Sequence, residues 1–231
     1  RDVERSRGLG DVYKRQSLMS RIARVVVNYP INEVQEFVEL LPRRKNEFIE
    51  MMKEHYFWKL YHSTDGDVDT STWNLFREYL TFFPDAPASL AHSKVLGLAE
   101  RVMKGNNVWR FYDFFRLWNP EKLRDDDWKE KKGNNGETYK PLAVKSLKKA
   151  REAIEALSDK QIGDLQWLID LYGTAVKKFP DDDWNIRSKA LLHLRAGQLA
   201  KAQSIYKDLC LKMGEKYYIW SEFAECWKDT G

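Results

Sequence analysis

Apolar side chains along this chain recur three and four positions apart, while Pro and Gly fall between the recurring stretches. That is the helix period; the strict alternation of a half-buried strand is absent. The pattern predicts a first helix over 17–29, with Ile22, Val25 and Val26 on its buried side and Pro30 closing it. A second, capped by Asn32, buries Val34, Phe37, Val38 and Leu41. Beyond Pro42 a third carries Phe48, Ile49, Met52, Tyr56 and Leu60. The Gly and Asp residues of 63–70 then supply turn chemistry. From Thr72 an aromatic-rich helix running into proline occurs three times, over 73–83, 108–118 and 165–179. Proline stops each because it lacks the next backbone donor. Between the first two lies a helix over 87–103 with the stripe Leu90, Val95, Leu98 and Val102, turned by Gly105, Asn106 and Asn107.

Residues 121–140 interrupt this order. They are charged, poor in apolar side chains and include Gly133 and Gly136, so they are expected to form an exposed insertion loop. Pro141 opens a helix with Ala143, Leu147, Ala150, Ile154 and Leu157 on one side. Ser158 with Gln161 is a capping-box pair for the long helix that follows.

Tyr172 and Tyr206 stand 34 residues apart, as do Ala190 with Ala224 and Gly197 with Gly231. A 34-residue period built from two helices resembles the tetratricopeptide repeat. Ile186, Ala190, Gly197, Ala202 and Tyr206 fit its frame, followed by Trp220, Ala224 and Gly231 and preceded by Tyr172, Ala175 and Pro180. Lys189, His193 and Leu209 depart from it, replacing an expected leucine, aromatic and small residue. The resemblance spans about 80 C-terminal residues, is loose over 72–120 and does not reach 17–62. Trp109 with Tyr112, and Trp73 with Phe76, also look similar to the half-tetratricopeptide units of RNA-processing scaffolds, without that family's acidic first-helix residue. The resemblance implies an all-α fold, a right-handed α-α superhelix of antiparallel helix pairs.

Composition alters the picture at the N-terminus. The hexapeptide 11–16 resembles a translated sequencing-library adapter, so residues 1–16 are set aside as a scar or disordered tail. They hold five basic and three acidic residues, and without them the net charge falls from +4 to +2. So balanced a chain gives no reason to expect nucleic acid. The expected domains are helical repeats over 17–120, the loop at 121–140 and tetratricopeptide-like repeats over 141–231, truncated at the C-terminus in what reads as a fragment of a longer protein. No apolar run approaches a membrane span, and Cys210 and Cys226 favour a reducing compartment, so the cytoplasm is expected.

Candidate chemistry is sparse. Asp65, Asp67 and Asp69 alternate as in a calcium loop, but Thr70 and Phe76 stand where Gly and Glu are required. A turn with Asp69 or Thr70 as helix cap is the better reading. Asp-Asp-Asp-Trp occurs at 125–128 and at 181–184, the second copy suited to capping a helix. The four histidines and two cysteines have no zinc spacing, and no nucleophile elbow or phosphate loop is present. No catalytic, cofactor or metal site is expected. Trp73, Trp109, Trp167 and Trp220 fall in apolar stripes and are expected in the core. Trp184, Arg187, Leu191 and Arg195, with Ser221, Glu225 and Lys228 of the next unit, fall where the resemblance places a concave groove. An aromatic anchor and guanidinium forks there suit an extended peptide bearing a carboxylate. The expected function is a non-enzymatic scaffold for a protein or peptide partner. The alternatives are an RNA-processing scaffold or the regulatory segment of an enzyme.

Overall fold

Most helices form where the apolar period predicts them. A computed structural model of the chain describes Lys14 and residues 16–41, 45–64, 68–83, 87–133 and 135–228. Among the described residues the fold is all-α, apart from a ribbon of two two-residue strands, and its helices pack against neighbours in a manner compatible with a helical repeat. The chain divides into two compact units, Arg1–Asp127 and Trp128–Gly231. The adapter-like segment lies mostly outside the described residues, as do Asp65, Asp67 and Gly231.

The first unit contains α1 (16–26), α2 (Ile31–Glu39), α3 (Lys45–His62), α4 (Thr70–Phe82), α5 (Leu90–Val102) and α6 (Val108–Trp118). Contacts between alternate helices join residues 32 to 42 positions apart. Ser20 meets His55, Glu54 meets Lys94, and the rings of Phe76 and Phe114 lie 5.4 Å apart. Residue numbers rise together on both members of each such pair, so alternate helices run in the same direction. Offsets of this size reach back to α1, beyond the stretch in which the sequence carries a repeat signature.

The core of this unit is aromatic. Tyr56, Phe76, Tyr79, Phe111, Tyr112, Phe114, Phe115 and Trp118 are all buried. The stripe on α1 differs from the one expected: Ala23 and Val27 are buried and Val25 is exposed. The register is set by α3, whose Lys59 reaches the Val27 carbonyl at 3.1 Å. Two buried polar groups, Lys53 and Asp127, and one exposed cap, Asp69, pin connections. Lys53, fully buried, donates to Glu50, the Pro87 carbonyl and Ser89. Burial lowers its pKa. Asp69 caps α4, accepting from the Thr72 amide at 2.7 Å. Asp127, read in sequence as part of an exposed loop, is buried; it accepts from the Ser93 hydroxyl at 2.6 Å and from the Arg124 amide at 3.0 Å.

The second unit begins with Trp128, which is buried with the Lys178 ammonium 5.7 Å from its ring centre. Strands β1 (Lys131–Lys132) and β2 (Thr138–Tyr139) pair antiparallel and are exposed. There follow α7 (Leu142–Glu155), α8 (Asp159–Ile162), α9 (Gln166–Lys178), α10 (Asp183–Arg195), α11 (Leu199–Lys212) and α12 (Tyr217–Glu225). Half of the capping pair is formed: Gln161 Oε1 accepts from the Ser158 amide at 3.0 Å, while the Ser158 hydroxyl donates to the same oxygen at 2.8 Å. It opens a four-residue turn, however, not the long helix expected. Gly163 adopts φ +61, a left-handed conformation that ends α8 before α9 starts. Gly197, at φ +68, makes the turn between α10 and α11.

Ala190, Ala202, Tyr206, Leu209, Ile219 and Cys226 form the C-terminal core. Small Ala190 and Ala202 let α10 and α11 approach, and Tyr206 fills the space beside them. Trp220, expected in the core, is 51% exposed; its indole N–H donates to the Gly214 carbonyl at 2.9 Å. Its spacing on α12 is apolar, but α11 packs on Ile219 instead.

Candidate functional site

Asp182 sets the start of α10. Its carboxylate accepts from the Trp184 amide at 3.0 Å and the Asn185 amide at 3.4 Å, satisfying donors that the helix leaves free. The second Asp-Asp-Asp-Trp copy is therefore a cap, and it fixes the direction of the predicted site residues.

Trp184 is 56% exposed and stacks on Tyr218 of α12, ring centres 6.2 Å apart and planes 20° from parallel. The Arg187 guanidinium lies 5.6 Å from the first ring and 4.9 Å from the second. Its fork is already filled. Nε donates to Glu222 Oε2 at 3.0 Å and Nη2 to Oε1, while the Tyr206 hydroxyl donates to the same carboxylate at 3.1 Å. The pair is only slightly exposed, which makes it a tie between α10, α11 and α12. The expectation that Arg187 offers a fork to a ligand is corrected on this ground.

Leu191, Arg195 and Glu225 do come together. With Arg151, Ile154, Glu155 and Leu194 they line a groove of about 570 Å³ beside α7, α10 and α12. Ile154, Leu191 and Leu194 give it an apolar floor. Arg151 is held by Glu155 at 2.6 Å, and Arg195 Nη2 reaches the Leu157 carbonyl at 3.5 Å. Glu225 lies 3.6 Å from Lys228. Ser221 is exposed on α12, Lys228 is exposed in the turn that follows it, and neither lines the groove. The contribution of α7 was missed in sequence, because Ile154 reads there as an ordinary core position and nothing in the spacing marks Arg151. Only the packing of α7 beside α10 assigns them to the site.

The arrangement offers apolar contact and both signs of charge. Among the described residues no group of three His, Cys, Asp or Glu could hold a metal ion. Among the same residues, no helix is long and apolar enough to cross a membrane. Cys210 and Cys226 are free thiols, both buried, and burial raises their pKa. No protein-family model matches this chain, and neither does a curated protein or a solved structure.

Proposed function

We propose that the chain is a non-enzymatic interaction scaffold, a tetratricopeptide-like right-handed array of antiparallel helix pairs that holds a peptide segment of a protein partner. The groove of α7, α10 and α12 carries this reading. Its floor of Ile154, Leu191 and Leu194 suits an apolar anchor, and Arg151 and Arg195 are matched by Glu155 and Glu225 around it. An apolar pocket with charged surroundings is the arrangement by which interfaces concentrate their binding energy in few residues. Balanced charge disfavours a polyanion, so the RNA-scaffold alternative draws no support from this surface. Repeat offsets of 32 to 42 residues throughout both units support the array.

A randomised peptide library displayed on phage and selected against the chain tests the groove. Enriched peptides are expected to share a leucine-sized apolar residue between an acidic and a basic one. Leu191→Lys should weaken a selected peptide at least about tenfold while helicity is retained, since Leu191 is a part-buried groove residue of the kind that dominates such contacts. Selection of peptides indifferent to Leu191→Lys would remove the groove from the function.

A further inference from the structure

The first unit carries an aromatic face whose polar atoms the fold leaves unspent. Phe57, Trp58, Tyr61 and His62, from the second half of α3, form a contiguous set with ring centres between 5.2 and 6.1 Å apart. Beside them α5 places Lys94 5.6 Å from the Phe57 ring centre and Arg101 5.3 Å from that of Tyr61. Trp58 and Tyr61 are 43% and 40% exposed, and their planes stand 74° apart, so the two rings meet edge to face at the surface. Helix positions with no role beyond facing water have no need of four neighbouring rings; contiguous apolar surface of this kind marks an interaction site.

Three of the hydrogen-bonding groups here offer N–H or O–H donors. The Trp58 indole N–H and the Arg101 guanidinium are donors only, and the Tyr61 hydroxyl can donate. None has a side-chain hydrogen bond among the described residues. Lys94 is engaged by Glu54 at 2.7 Å, whereas Arg101 has no carboxylate partner among the described residues. The face therefore presents flat apolar walls, donors awaiting acceptors and an unmatched cation.

We propose that this face binds a proline-rich peptide with an acidic residue beside the prolines. A polyproline II strand presents carbonyl acceptors, and at each proline no N–H, so its backbone matches a wall of donors. Proline rings pack flat against indole and phenol faces, and a strand already extended loses little entropy on docking. The carboxylate meets Arg101. A single-stranded nucleic acid also stacks on aromatic rings, but it requires a basic groove along its phosphates. Here Glu54 stands on the same face and occupies Lys94. The proposal is independent of the groove in the second unit, because every residue it uses lies in the first.

Fluorescence anisotropy with the whole chain tests it, using a labelled oligoproline ending in glutamates, an alanine counterpart and an oligothymidylate. The oligoproline is expected to bind saturably and more tightly than either control. Trp58→Ala should weaken it at least about tenfold, as loss of a central aromatic anchor does. Arg101→Ala should weaken the glutamate-ended peptide but not one ending in glutamines, and Leu191→Lys should change nothing. Circular dichroism on each variant confirms folding. Absence of saturation, equal binding of the alanine peptide, tighter binding of the oligothymidylate or indifference to Trp58→Ala overturns the proposal.

Discussion

His92 is buried between two rings, stacked on Trp118 at 4.3 Å and on Tyr79 at 5.7 Å. Its Nε2 lies 3.2 Å from the Trp118 carbonyl, which can only accept, so Nε2 carries the proton. Nδ1 then accepts from the Tyr79 hydroxyl at 2.7 Å. Both bonds are those of neutral imidazole, and burial drives the pKa down from 6.5 to about 3. A depressed folded pKa means that the unfolded chain binds the proton more readily. Stability is therefore complete above pH 6.5, declines as pH falls below it and reaches its full loss near pH 3. The decline amounts to about 2 kcal/mol by pH 5. Urea unfolding at pH 7 and pH 5 measures it, and His92→Phe should flatten the difference while lowering stability at pH 7. Burial lowers the pKa of His55 and His193 as well, adding in the same direction. Arg187 and Glu222 give a second residue-scale expectation. A double-mutant cycle with Arg187→Ala and Glu222→Ala should return a stability coupling of about 1–3 kcal/mol, since the pair is mostly buried and doubly bonded. A coupling near zero would return Arg187 to the candidate ligand fork.

At the scale of elements, helix limits were legible wherever a local group sets them. Asp69 and Asp182 cap α4 and α10 through bonds within three residues, and such groups are visible in sequence. Asp182→Ala should cost about 1 kcal/mol of stability by thermal melting, with Asp183→Ala costing less because its carboxylate is not the cap. Which side of a helix is buried was less legible when neighbours decide it. On α1 the register follows Lys59 and His55 of α3, so the stripe moved from Val25 to Val27. On α12 the packing of α11 on Ile219 left Trp220 outward. The break at Gly163 was missed because periodicity continues across it, whereas φ +61 interrupts the helix.

At the scale of the whole molecule, the chain forms two compact units. Alternate helices run the same way in the first, and α10 and α12 do so in the second, residue numbers rising together across Trp184–Tyr218 and Arg187–Glu222. A helix stacked in this way presents one side to the helix next in sequence and another to the alternate helix. The side left over gathers residues from helices distant in sequence. In the second unit this brings Arg151, Leu191, Arg195 and Glu225 to one groove, and in the first it sets Arg101 against Tyr61. Asp127 and Trp128, adjacent in the chain, are buried in different units, which is why the segment around them reads as a loop but is not an exposed one throughout.

The sequence by itself determined an all-α chain, most of its helices, the caps Asp69 and Asp182 and the 34-residue period of its C-terminal part, whereas Asn32, expected to cap α2, stands inside that helix after Pro30. These follow from local rules: side-chain period, proline without a donor, carboxylates near free amides. It also determined which side chains were candidates for contact. Only the tertiary structure decided which of them are available. Arg187 is consumed by Glu222 because α10 and α12 lie side by side, and Arg151 joins the groove because α7 does the same. Long-range packing selects one partner from many that the spacing permits, and that selection is a property of the assembled core.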